Sequence, residues 1–253
     1  MAETYFKDKT VVITGAARGL GLGMARRFGL AGAHTVIAGR DATAGGRAAE
    51  VLRAEGLSAS YEPLDVRDPA QSLALVEKVA ETRGAIDVWV NNAGVSHVSP
   101  AETHPREGWE ESMAVMLSGA FYCSQAAGRH MLSRGRGVIV NVAAADGYRP
   151  IEGRVAYSVA KAGLIMLTKA LGIEWARRGV RVVGIAPGVV ASGKTRDGAE
   201  ASARVYERRT PLGRLGTVEE IGEAVLFLAS NEAPYVVAET MRVDGGWVAY
   251  QLF

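Results

Sequence analysis

The 253-residue chain has a single cysteine, Cys123, so neither a disulfide within the chain nor a cysteine-ligated metal cluster is available to it, and no metal site is expected. A reducing cytoplasm suits that usage. Excess charge of one sign is also missing. Lys and Arg number 29 against 27 Asp and Glu, a formal net charge of +2, and the basic residues are scattered among the acids, which gives nucleic-acid binding no support. No apolar run approaches membrane-spanning length. Positions 1–9 carry Glu3, Lys7, Asp8 and Lys9 where a signal peptide would have its apolar core. Repeats, low-complexity tracts and linkers are absent too. The expectation is a soluble cytoplasmic protein with one domain over 1–253, and its 48% hydrophobic residues suffice for a large core.

Alternation of apolar and polar residues is scarce in the strand-like runs, which fall at 10–14, 34–39, 58–63, 86–91, 137–143, 180–186 and 240–243. Most are continuously apolar, as strands covered on both faces are. This predicts an α/β fold: a doubly wound, Rossmann-like parallel sheet of about seven strands with helices above and below. Segments 20–31, 69–83, 107–132, 155–178 and 218–230 carry helical spacing. The least regular stretch, 192–209, mixes Gly, Ser, Ala and Arg and reads as a flap over a site that offers Ser192, Lys194, Arg196 and Tyr206.

After the first strand comes Gly15-Ala16-Ala17-Arg18-Gly19-Leu20-Gly21. Glycines at this spacing allow a tight turn and let the backbone approach a pyrophosphate at the N-terminus of the following helix. A carboxylate at the end of the second strand would bind the adenosine ribose of NAD. Ala38-Gly39-Arg40 has none there and offers a guanidinium, with Arg18 as a second cation on the loop. Guanidinium groups bind phosphate oxygens through paired hydrogen bonds, so a 2′-phosphate fits and NADP(H) is preferred over NAD(H).

Tyr157 and Lys161 lie four residues apart at the start of a strongly apolar helix, on one face. A phenol with an ordinary pKa of about 10 exchanges protons poorly at neutral pH, and a cation beside it favours ionisation. The pair is a candidate acid/base device.

The glycine loop, Asp65-Val66, Asn91-Asn92-Ala93-Gly94, Tyr157-x-x-x-Lys161, Pro187-Gly188, Pro211-Leu212-Gly213-Arg214 and Asp244-Gly245-Gly246, in this order, resemble the short-chain dehydrogenase/reductase family over essentially the whole chain. The resemblance implies a Rossmann-like domain, usually a homotetramer with a dimer as fallback, that moves a hydride between nicotinamide and a small carbonyl or alcohol substrate. It implies that Asp65 and Val66 hold the adenine, that Asn92, Ala93 and Gly94 line the adenosine ribose region, and that Pro187, Gly188, Val190 and Ser192 hold the nicotinamide end. Tyr157 passes the proton to or from the substrate oxygen, while Lys161 anchors the nicotinamide ribose and lowers the tyrosine pKa. Helices 107–132 and 155–178, with Met113, Leu117, Phe121, Leu164, Leu167 and Leu171, would pair across a two-fold axis, and the apolar stretch 247–253 would cover a second interface.

Two polar groups of that pattern are missing. The family's substrate-binding serine, thirteen residues before the tyrosine, is Ala144 here, and Ala143 beside it has no hydroxyl either. Met116 stands where the family usually has an asparagine that supports a helix kink and a proton-relay water. Asp146, Tyr148 or His97 are candidates to fill the vacated substrate pocket. The first reading is an NADP(H)-dependent carbonyl reductase or alcohol dehydrogenase with an atypical site. The alternative is a lyase, cyclase or isomerase without net hydride transfer, or a cofactor-binding pseudoenzyme, on the same fold.

Overall fold

The structure, a computed structural model, describes residues 5–192 and 200–250, without the side chains of 200–203. Strands β1 (Thr10–Thr14), β2 (His34–Gly39), β3 (Ala59–Pro63), β4 (Val88–Asn91), β5 (Gly137–Val142), β6 (Val180–Pro187) and β7 (Thr240–Val243) form one sheet in the order β3-β2-β1-β4-β5-β6-β7. Every pair is parallel. The order reverses between β1 and β4, and this opens a crevice at the strands' C-terminal ends, where doubly wound sheets take their ligands.

Both faces of the sheet are covered, which explains the unbroken apolar runs. Residues of α1 (Gly19–Leu30), α2 (Ala42–Ala54) and α8 (Val218–Ala229) close one face around Phe28, Leu52 and Val225. Residues of α3 (Pro69–Arg83), α5 (Gly119–Arg134) and α6 (Val155–Trp175) close the other around Trp89, Met131 and Trp175. Local chemistry marks the helix ends. Asp68 caps α3 by accepting from the backbone of Ala70 and Gln71, Pro69 follows it, and Gly84 ends the helix at φ 77°. Thr217 and Glu220 form a reciprocal capping box at the start of α8.

Three expectations need correction. The helix predicted over 107–132 is α4 (Arg106–Met113) and α5 joined by a π-helical turn, Ala114–Ser118. There Gly119 packs so closely on Val66 that a Cβ would come within 2.8 Å of Val66 Cγ2. The irregular stretch 192–209 contains a helix, α7 (Glu200–Arg209), whose weakly apolar sequence hid it, while Lys194 and Arg196 lie outside the described residues. Among the described residues one helical segment, Val155–Arg178, is long and apolar enough to cross a membrane by composition, although half of it is buried inside the fold.

The apolar residues expected to pair subunits divide differently as well. Leu164 and Leu171 are core, and Met113 and Leu167 pack against the core. Outward-facing apolar groups on α5 and α6 are Phe121, Val159, Met166 and Ile173, the last 75% exposed.

Candidate active site

The glycine loop after β1 is a cradle shaped by its lack of side chains. Gly15 and Gly19 have φ of +66° and +58°, which disfavours any residue with a Cβ. A Cβ on Gly15 would lie 2.9 Å from Ala93 Cα, and one on Gly21 would lie 2.6 Å from Ala16 Cα. The Asn92 amide braces the loop by donating to the carbonyls of Thr14 (2.9 Å) and Gly15 (3.2 Å). Thr14 Oγ1 accepts from the backbone N–H groups of Asn92 and Ala93, each at 3.0 Å. Helix α1 starts at Gly19 beside Leu20 with no side-chain cap, so its first N–H groups are available to a ligand's phosphate oxygens. This geometry fits a dinucleotide.

Around the end of β2, a Cβ on Gly39 would meet nothing within 4 Å. Arg18 and Arg40 are exposed. The next acid, Asp41, is turned away to cap α2, accepting from Ala44 N at 2.9 Å. Asp65 is gripped by Arg67, whose Nε lies 2.9 and 3.0 Å from its two oxygens. That hydrogen bonding holds the carboxyl below its ordinary range, and the charges of Arg67 and Arg40 add to the effect. Arg67 is a third cation at this edge; it was not singled out from the sequence, although its place two residues after Asp65 was the available signal. Val66 is buried beneath the π turn.

Tyr157 is partly buried on the first turn of α6, and Lys161, one turn later, is 4% exposed. Lys161 Nζ donates to the Val142 carbonyl at 2.6 Å and lies 5.7 Å from the centre of the Tyr157 ring. Burial pushes the lysine down to about 8, and Asp146 opposes the shift. The tyrosine departs from expectation. Burial, followed by the charge of Asp146, pushes its phenol up to about 12, and the opposing cation is Arg154. The ammonium expected to acidify it is committed to the Val142 carbonyl instead. Cys123, buried beside Ser72, is pushed up to about 12 by burial, which leaves the thiol inert.

Ala143 and Ala144 are buried at the end of β5 and present only methyl groups. A short 3-10 turn, Ala145–Gly147, then carries Asp146. Its Oδ2 accepts from Arg154 Nη1 at 2.8 Å. Burial raises the carboxyl of Asp146, while Arg154 lowers it. The Arg154 guanidinium carbon stands 4.7 Å over the Tyr157 ring, and Nη2 is 3.4 Å from Ser96 Oγ. Arg154 was not singled out from the sequence, and its place three residues before Tyr157 was the available signal.

The other pocket candidates are engaged. His97 Nε2 is 2.9 Å from Glu111 Oε2. The Tyr148 hydroxyl donates to the Thr240 carbonyl at 3.1 Å, with Arg242 5.7 Å over its ring. Met116, 1% exposed in the π turn, lines with Thr14, Val66, Asn91 and Ala93 a void of about 10 Å³, barely room for one water.

At the far side of the crevice, Pro187 ends β6 and Gly188 N donates to Val243 O at 3.0 Å. Gly188 lies so close to the next crossing that a Cβ would stand 2.7 Å from Asp244 Cα. Val190 bridges to Gly216, and Ser192 reaches back over the glycine loop, its Cβ 3.9 Å from where a Gly19 Cβ would sit. Tyr206 of α7 meets Trp247 at 5.8 Å between ring centres, while Arg149 donates to the Trp247 carbonyl at 3.1 Å. Among the described residues no group of three or more metal-ligating side chains gathers.

Residues 15–248 match the family described as enoyl-(acyl carrier protein) reductase. The chain is 35% identical over 237 residues to gluconate 5-dehydrogenase of Gluconobacter oxydans, covering 93% of each protein. It is 38% identical over 253 residues to 3beta-hydroxysteroid dehydrogenase 1 of Eggerthella lenta, covering 98% of this chain and 96% of that one. A crystal structure of gluconate 5-dehydrogenase from Burkholderia cenocepacia, in complex with NADP and tartrate, superposes with a TM-score of 0.93 at 34% identity over 99% of both chains. With a seven-stranded parallel sheet, a glycine cradle at its switch point and these relatives along nearly its full length, the chain belongs to the short-chain dehydrogenase/reductase family of oxidoreductases.

Proposed function

We propose that the protein is an NADP(H)-dependent reductase or dehydrogenase of a carbonyl or alcohol, in which Tyr157 exchanges the proton at the substrate oxygen. The observation that carries this reading is the placement of Tyr157 and the buried Lys161 one helical turn apart beside Val142, in a chain whose glycine loop is shaped for a dinucleotide. When bound, the cofactor supplies or removes the hydride. The glycine loop and the α1 N-terminus would hold its pyrophosphate, Asp65 and Val66 its adenine, and Pro187 to Ser192 its nicotinamide end. Lys161 would leave the Val142 carbonyl for the nicotinamide ribose, and its charge would then favour the tyrosinate. Preference for NADP(H) is supported by the open space at Gly39, the exposed Arg18 and Arg40, and the turning away of Asp41 into the α2 cap.

Ala144 occupies the family's serine position in this reading. A missing donor to a developing oxyanion costs about 2.7–4 kcal/mol, roughly 100–1000-fold in rate. Met116 in the π turn removes a second polar group. That joint loss favours, as a second reading, proton-transfer chemistry without hydride transfer on the same Tyr157. Relatives at similar identity are named for a sugar acid and for a steroid, both of which carry hydroxyl or carbonyl carbons. Outward-facing Phe121, Val159, Met166 and Ile173 support a homotetramer, or failing that a dimer, and the lone buried thiol suits a reducing cytoplasm.

Nicotinamide absorbance during turnover of a broad carbonyl and alcohol panel tests the reading. Ala144→Ser should raise turnover within the roughly 100–1000-fold span of one such donor, and Tyr157→Phe should abolish it. Product formed without any change in nicotinamide absorbance, in both the native protein and Ala144→Ser, would refute hydride transfer.

A further inference from the structure

Resting on the reductase reading, we propose that Arg154 binds a carboxylate carried by the substrate, so that the site selects hydroxy or keto acids over neutral alcohols and ketones. Arg154 lies in the turn before α6. Its guanidinium is stacked 4.7 Å over the Tyr157 ring, held at one corner by Asp146 Oδ2 at 2.8 Å and near another by Ser96 Oγ at 3.4 Å. Ring, carboxylate and hydroxyl thus fix the plane of the guanidinium beside the proposed proton donor. Among the described residues its remaining N–H groups meet no acceptor. The Arg154 side chain keeps 28% of its surface exposed, whereas that of Asp146 keeps 9%. A planar fork fixed along one edge and open along another suits the two oxygens of a carboxylate.

Charge points the same way. Arg154 and Lys161 set two cations beside Tyr157 against Asp146, while Glu111 is taken by His97 at 2.9 Å. A substrate carboxylate would offset the surplus positive charge beside these half-buried side chains, which a neutral substrate leaves uncompensated. Stability alone is a weak reason for the pair, since apolar residues of equal volume often replace a buried ion pair without loss. Asp146 acts here as a positioning residue and Arg154 as the group that touches substrate.

The test is calorimetric titration of the NADPH-saturated protein, repeated without cofactor, with three matched pairs: lactate and 1,2-propanediol, malate and 1,2,4-butanetriol, gluconate and glucitol. Within each pair CH2OH replaces every carboxylate of the acid, a single one in lactate and gluconate and both in malate. At least one acid should bind roughly 10–100-fold more tightly than its neutral partner. Arg154→Gln should erase that ratio and Arg154→Lys should keep part of it. The double variant Asp146→Asn/Arg154→Gln, which leaves no unpaired buried carboxylate to unfold the turn, should behave as Arg154→Gln does. Equal binding of acid and neutral partner in every pair, no binding of any acid, or a ratio unmoved by Arg154→Gln overturns the proposal. NADPH affinity, followed by its own fluorescence, separates the two ideas. Loss of cofactor binding strikes the reductase reading, whereas neutral carbonyls reduced with NADPH and no acid preference strike only this one.

Discussion

Asn91 and Asn141 sit opposite one another on the neighbouring parallel strands β4 and β5, and the Asn91 amide donates to Asn141 Oδ1 at 2.8 Å. Both are buried, and each side chain is satisfied further. Trp89 Nε1 donates to Asn91 Oδ1 at 2.9 Å, Asn91 donates to Ser124 Oγ at 2.8 Å, and Asn141 donates to Thr168 Oγ1 at 2.9 Å. Two strands, α5 and α6 are tied together in this way one residue below Val142, the carbonyl that receives Lys161. A buried polar network is worth keeping only when every member is paired, and here the pairing sets where α6 lies against the sheet.

Asn141→Leu should therefore destabilise the fold by about 1–3 kcal/mol, because it strands in an apolar interior the Asn91 amide N–H that Asn141 Oδ1 accepts and takes from Thr168 Oγ1 the N–H it accepts. Urea unfolding followed by circular dichroism measures this. A midpoint equal to that of the native protein would show that the network is dispensable.

Cofactor choice is tested at the open end of β2. Arg40→Asp removes a partner for a 2′-phosphate and adds repulsion, so NADPH affinity should fall roughly 10–100-fold. NADH affinity should hold or rise. Calorimetry that finds the native protein indifferent between the two cofactors would contradict the NADP(H) assignment.

Acid sensitivity should trace in part to His34 at the start of β2, whose ring nitrogens lie 2.8 Å from Ser58 Oγ and 2.9 Å from Ser60 Oγ. Burial first, then the charge of Arg83, pushes the imidazole down to about 4 from its ordinary 6.5. Between those two values the unfolded chain holds a proton that the folded one does not. The stabilisation is thus complete above about 6.5 and is lost as pH falls toward 4. His34→Gln should flatten the difference in unfolding free energy between pH 7 and pH 5, with residual slope left to His130, which burial also lowers. An unchanged slope in urea titrations at the two values would remove His34 from the account.

Much of this protein was determined by the sequence alone, because the physics behind it is local. Unbroken apolar runs such as 180–186 require a strand covered on both faces, and Asp68-Pro69 starts a helix that Gly84 must end. The glycines of 15–21 announce a backbone approached by a ligand, and Tyr157 with Lys161 shares a face by helical period. Helix α7 escaped because its composition resembles a loop, and its packing onto Trp247 through Tyr206 is a long-range contact.

Only the tertiary structure decided the electrostatics of the site. Whether Lys161 acidifies Tyr157 depends on where the ammonium finds an acceptor, and it finds the carbonyl of Val142, nineteen residues back in the chain. Whether Asp146 is a solvated turn residue or a buried partner of Arg154 depends on how the turn after β5 packs on α6. Whether Asp41 meets a ribose or a helix end depends on the φ and ψ at one position. Hydrophobic period and turn chemistry repeat every few residues and are legible in one dimension. Desolvation and charge pairing depend on distances between segments far apart in sequence, and only the folded chain sets those.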